Sequence, residues 1–142
     1  MRFIITSTTA PDSKLDAPMT DDLFKAYMKF NEDLHAAGVL VVSEGLMPGT
    51  PGARIVASGG KRKVVDGPFL ETKELVGGFY VIEVPSLEEA KAWALRCPVG
   101  MASADVLEVR QLTASEDIPQ QYLDLAASVA PSWTASFFTK KK

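Results

Sequence analysis

Gly77-Gly78-Phe79-Tyr80-Val81-Ile82-Glu83-Val84-Pro85-Ser86-Leu87-Glu88-Glu89-Ala90 holds a complete strand-to-helix transition. Phe79 to Val84 concentrates aromatic and β-branched residues, which suit a pleated, half-buried surface, and it is the strongest strand signal in the chain. Pro85 cannot donate to a ladder and stops the strand. Ser86 and Glu89 then have capping-box spacing, so a helix begins at once. Ala90, Trp93, Ala94 and Cys97 form its apolar stripe, and Pro98 closes it. Beyond it, Val106, Leu107, Val109 and Leu112 stand among polar residues and predict a last strand within 105–112.

The same grammar holds upstream. Phe3-Ile4-Ile5 reads as strand one, and Thr8 to Pro18, with two prolines and two aspartates, reads as a loop. Thr20 can cap a helix whose first turn carries Asp21 and Asp22, where the helix dipole favours negative charge. Leu23, Tyr27, Phe30 and Leu34 fall on one face, and Gly38 suits the left-handed position that ends a helix. Val39 to Val42 is a second strand. Met47 to Gly52, with two prolines and two glycines, is a loop. Arg54–Ala57 and Lys63–Val65 flank Ser58-Gly59-Gly60-Lys61 as a hairpin, and Asp66-Gly67-Pro68-Phe69 is a turn by composition.

The order is β-α-β-(hairpin)-β-α-β, which predicts an α+β, ferredoxin-like sandwich over residues 1–112 with helices on one face of the sheet. The second face of such a sheet is left open, and pairing two sheets covers it, so a homodimer is expected. Residues 113–142 form an extension. Ser115-Glu116-Asp117 before Ile118-Pro119 starts a third helix with Ile118, Tyr122, Leu125 and Val129 on one stripe. Pro131 ends it, and Trp133, Phe137 and Phe138 are expected to dock on the domain or on a dimer mate, most simply by covering an exposed sheet face.

Composition narrows the function. The 142 residues carry 18 acidic and 15 basic side chains, which argues against a broad basic face for nucleic acid. One cysteine and one histidine exclude an internal disulfide and a Cys-based zinc site, and no metal-ligand spacing appears. Gly59-Gly60-Lys61 and Gly77-Gly78 match neither the P-loop nor the dinucleotide fingerprint, so no cofactor is indicated. No signal-peptide core or membrane-length apolar run is present, so the expected location is the cytoplasm.

Asp66-Gly67-Pro68-Phe69-Leu70-Glu71-Thr72-Lys73-Glu74, followed by Gly77-Gly78-Phe79-Tyr80-Val81-Ile82, resembles the signature of the YCII-related family, in its DGPF branch. Phe30-Asn31, Ala36-Ala37-Gly38-Val39, Glu44-Gly45-Leu46 and Ala92-Trp93-Ala94 support it over roughly residues 1–112. The resemblance implies a dimeric α+β barrel, built from two ferredoxin-like sheets. It also implies a superfamily containing lactone isomerases, dehalogenases and cofactor-poor monooxygenases, and a branch associated with extracytoplasmic-function sigma factors. The His–Asp pair of the YCII branch proper has no counterpart here. Helix one starts Pro18-Met19-Thr20-Asp21-Asp22, and Arg96-Cys97-Pro98-Val99-Gly100 follows helix two.

Five residues remain as ligand-site candidates. Asp66 either holds its own turn or serves as a cleft carboxylate acting as base. Phe69 can fill core or wall a pocket. Glu71 and Lys73 share a side of an extended segment; as a solvated pair they contribute little, and in a site Lys73 would stabilise an anion while desolvation tunes Glu71. Glu44, at the end of strand two, is expected to be partly buried and to pair with Arg54 or Lys73. His35 near the end of helix one suits the dipole, and Cys97 reads as an inert buried thiol. The resulting expectation is a small polar or anionic metabolite bound near the Asp66 turn. Proton transfer of the lactone-isomerase kind would use Asp66 or Glu44 as base and Lys73 as anion stabiliser. The contrasting reading is a non-catalytic interaction module linked to transcriptional regulation, with the C-terminal extension as its partner surface.

Overall fold

A computed structural model describes residues 1–9, 20–46, 52–66, 75–98 and 106–138 of the chain. Strand β1 (Arg2–Thr9) lies at the centre, flanked by β5 (Leu75–Glu83) and β6 (Val106–Gln111), and β2 (Leu40–Gly45) adds to the far side of β5. The order β2-β5-β1-β6 is antiparallel throughout. With helices α1 (Asp21–Ala36) and α2 (Leu87–Leu95) as the crossovers, this is the ferredoxin-like α+β fold. β3 (Ala53–Ser58) and β4 (Lys61–Asp66) form a separate two-stranded hairpin between β2 and β5. Gly59 and Gly60 both have positive φ, 57° and 75°, as the tight primed hairpin turn requires.

Local chemistry sets the helix ends. The Thr20 side chain accepts from the Leu23 amide at 3.2 Å and starts α1. At its other end Gly38 has φ 70°, the Gly38 amide donates to the His35 carbonyl and the Val39 amide to the Leu34 carbonyl. That pair of bonds is a Schellman closure, and it turns the chain directly into β2. Ser86 accepts from the Glu89 amide at 3.2 Å and starts α2.

Strand alternation then distributes the side chains. Phe3 and Ile5 of β1 face the helices beside Ile82 and Tyr80 of β5. Phe3, Ile5, Leu34 and Ile82 are fully buried, and each such side chain stabilises the fold by roughly 1.5–3 kcal/mol. Phe30 of α1 meets Tyr80 edge-on at 5.3 Å and Trp93 of α2 at 6.5 Å, so one ring ties both helices to the sheet. Cys97 is buried in the same core. Outside it, Asp33 accepts from Arg96 at 2.7 Å and from Lys29 at 3.0 Å. The Arg96 guanidinium also lies 4.3 Å over the Trp93 ring, so it clamps the end of α2 to α1. The Lys29 hydrogen bond is the largest cause holding the Asp33 carboxyl below its usual range, and Arg96 adds to it.

Three expectations are corrected. β1 runs on to Thr9, because both β5 and β6 pair with Thr8 and extend the ladder into the segment read as loop. The extension contains a 3-10 turn (Ser115–Asp117), α3 (Gln120–Val129) and α4 (Pro131–Phe138). Pro131 both stops α3 and opens α4, because a first-turn residue needs no amide hydrogen. Lastly, Ile118 precedes α3 and is half-buried; of the stripe, Tyr122, Leu125 and Val129 are exposed, while Leu123 and Ala126 are half-buried. The tail meets the domain around Met1, Arg2, Glu83 and Gln111, which line a cavity with Trp133 and Phe137. Trp133 stacks on Phe137 at 4.9 Å, and the Arg2 guanidinium lies 5.5 Å from the Phe137 ring centre.

Candidate functional site

A row of small side chains opens a cleft on the helix-bearing face. Ser7 of β1 pairs with Gly78 of β5, and Gly78 pairs with Gly45 of β2, so three adjacent strands carry almost no side chain at that level. Gly78 is also a packing requirement: a Cβ there would stand 2.9 Å from the Glu44 carbonyl oxygen. At Gly45 a Cβ would meet nothing within 4 Å. One glycine therefore permits the close approach of β2 and β5, and the other leaves open space.

Helix α1 roofs this space with Phe24, Tyr27, Met28 and Asn31. The cleft has a volume of about 440 Å³, within the range of small-molecule pockets. Ile5, Leu46 and Leu107 add apolar wall, and Ser43 and Tyr80 bring hydroxyls from adjacent strands. Ser43 Oγ donates to Asn31 Oδ1 at 3.4 Å. Burial pushes the Tyr80 hydroxyl up to about 12, the charges of Cys97 and Tyr27 add to this, and a hydrogen bond with Ser43 pulls the other way. Tyr80 is thus a neutral phenol at every physiological pH, able to donate to a ligand carbonyl and to accept from a ligand hydroxyl.

The candidates from sequence fall differently. Glu44 borders the cleft but is exposed. It pairs with Phe79 and so alternates to the face opposite Ser43 and Tyr80, which corrects the expectation of a partly buried carboxylate. Asp66 is exposed at the end of β4, opposite Ala53, and is not among the residues lining the cleft. Phe69, Glu71 and Lys73 lie outside the described residues. The groups that sequence reading passed over are Tyr27, Asn31, Ser43 and Tyr80. Tyr27 and Tyr80 looked like core residues of an amphipathic helix and an apolar strand. The available signal was the pair Gly45 and Gly78, two strand residues with nothing to pack.

The sequence profile of the YCII-related domain matches residues 1–114. The chain belongs to the YCII-related family. An uncharacterised protein of Rhizobium meliloti (strain 1021) is 37% identical over 105 residues, which span 74% of this chain and 82% of that protein. The family match ends where the ferredoxin-like domain gives way to the 3-10 turn, so α3 and α4 lie beyond it.

Proposed function

We propose that this YCII-related protein is a homodimer that binds a small metabolite, one per subunit, in the cleft between α1 and the sheet. The observation that carries the reading is the row Ser7–Gly78–Gly45 beneath α1, which leaves about 440 Å³ open in an otherwise packed face. The lining favours a compact, largely apolar ligand bearing a carbonyl or hydroxyl. Apolar walls would bury its body, while Tyr80, Ser43 and Asn31 would orient the polar end. Glu44 is the one carboxylate among the described lining residues, and it stands at the rim. Its side chain turns to the face opposite Tyr80, so inside the cleft the polar work falls to Tyr80 as donor to a ligand oxygen, with Ser43 and Asn31 beside it. The Asp66–Glu74 segment leads in sequence into β5, whose Gly77 and Gly78 line the cleft, and Lys73 is proposed to favour anionic ligands. The dimer rests on the second face of the sheet, where register places Ile4, Val42, Phe79 and Val81 together. Pairing of two such faces gives the dimeric α+β barrel.

The test is a thermal-shift screen of lactones, hydroxylated aromatics and small organic acids against wild type, Gly45→Val, Asp66→Ala and Lys73→Ala. Ligand at 100 times its dissociation constant stabilises a fold by about 2.7 kcal/mol. Stabilisation of wild type and Asp66→Ala, lost in Gly45→Val, is expected, with Lys73→Ala weakening only the acids. Hits that survive Gly45→Val but disappear in Asp66→Ala would move the site to the Asp66 turn and contradict the cleft reading.

A further inference from the structure

Two surfaces of the chain are built to be covered and are open. The first is the β3–β4 hairpin. It pairs with no other described strand, all twelve of its residues are exposed, and Ile55 and Val64, cross-strand partners, are 61% and 57% exposed. An isolated two-stranded hairpin is marginal in water, so this one needs a surface to pack on. The second is the α3 stripe. Leu125 is 57% exposed and Val129 76%, with Tyr122 beside them, although the 3, 4 spacing of these side chains gives α3 an apolar face.

Charge says what pairs with what. The hairpin 53–66 carries four basic side chains, three of them in Lys61-Arg62-Lys63 beside its turn, against Asp66 alone. Residues 115–129, the 3-10 turn and α3, carry Glu116, Asp117 and Asp124 and no basic residue, and the extension's three lysines, Lys140, Lys141 and Lys142, lie outside the described residues. The basic hairpin is thus matched by a segment of opposite charge, the 3-10 turn and α3. They leave each other exposed within one chain, and a two-fold pair of chains can exchange both contacts at once, hairpin to α3 and α3 to hairpin.

We propose that the hairpin of one subunit docks on the α3 stripe of a second copy of this chain, with Ile55 and Val64 against Tyr122 and Leu125 and the basic turn over the acidic start of the extension. This rests on the dimer reading above and adds a second, reciprocal contact to it. Complementary potentials fix the register and suppress wrong pairings, and the apolar contacts supply the burial. It also gives the extension a role: a clasp that locks two domains together.

The experiment mixes two separately tagged full-length variants, Val64→Cys and Leu125→Cys, under exchange conditions, treats them with a short bis-maleimide and weighs the products. Both positions are exposed, and the native Cys97 is buried. A cross-link joining the two tags is expected. A companion variant, K61E/R62E/K63E, is expected to raise the dimer dissociation constant at least tenfold at low salt. Adding E116K/D117K/D124K should restore it, and the difference should shrink in 1 M salt. A dimeric mass by light scattering with no cross-link between tags overturns this proposal and leaves the sheet-to-sheet dimer standing. A cross-link within the single chain of the double variant V64C/L125C, in place of one between tags, also overturns it. A mass of one chain overturns both readings together.

Discussion

Gly78 and Gly45 face each other across β5 and β2, and they are expected to respond to alanine in opposite directions. In Gly78→Ala the new methyl would stand 2.9 Å from the Glu44 carbonyl oxygen and 3.4 Å from Gly45 Cα, and both are backbone atoms that cannot swing aside. β2 must move away from β5, at an overpacking cost of about 1–3 kcal/mol. Gly78 is not among the glycines at positive φ, so alanine also restricts the unfolded chain, returning roughly 0.4–1 kcal/mol. The net expectation is a loss of about 1–2 kcal/mol. For a chain of this size that lowers Tm by roughly 4–8 °C, interpolating between small and mid-sized domains. Gly45→Ala meets nothing within 4 Å, so only the entropic gain applies, and stability is expected to hold or rise by roughly 0.4–1 kcal/mol. Urea unfolding of the three proteins at one pH reads both values, with unchanged m confirming that the denatured state is not the cause. A Gly78→Ala protein at or above wild-type stability would refute the close-approach argument. So would a Gly45→Ala protein as damaged as its partner, which would mean that the space beneath α1 is not open.

Phe30→Ala is expected to cost about 3–5 kcal/mol by urea unfolding, because one buried ring joins Tyr80 of the sheet to Trp93 of α2. Arg96→Ala should change stability at neutral pH only slightly, since its pair with Asp33 lies at the partly exposed surface. Lys29→Ala should flatten the acid limb of the stability curve more than Arg96→Ala, because the Lys29 hydrogen bond is the largest cause lowering the Asp33 pKa: the Asp33 contribution is present above the ordinary carboxylate value and is lost as pH falls through the folded one. At the alkaline end the sign reverses. Tyr80 is raised to about 12 from an ordinary 10, so its neutral form favours the fold fully below pH 10. That contribution disappears as pH climbs toward 12, and Tyr80→Phe should remove this dependence from an alkaline unfolding series.

The fold was legible because its punctuation is local. Pro85, the Ser86 cap, the Thr20 cap and Gly38 each act within a few residues, and all behave in the structure as their chemistry dictates. The hairpin was equally plain from Gly59-Gly60. What depended on tertiary placement was harder to read. Glu44 sits on an apolar strand, yet alternation across a register shift between Leu40 and Val42 turns it to the outer face. The stripe Tyr122–Leu125–Val129 has helical period, but period alone gives no partner, and among the described residues these three side chains stay exposed. The cleft escaped because it is defined by absence: no motif marks a site made where Gly45 and Gly78 leave room and Tyr80 and Ser43 come together from two strands.

The most direct test of the cleft is an amide NMR titration of the isotopically labelled protein with the strongest stabiliser from the lactone, phenol and organic-acid panel. Shifts concentrated at Tyr27, Asn31, Ser43, Gly45, Gly78 and Tyr80, with the hairpin unmoved, are the predicted result. Shifts confined to Ala53–Asp66 or to α3 and α4, with that row silent, would contradict it.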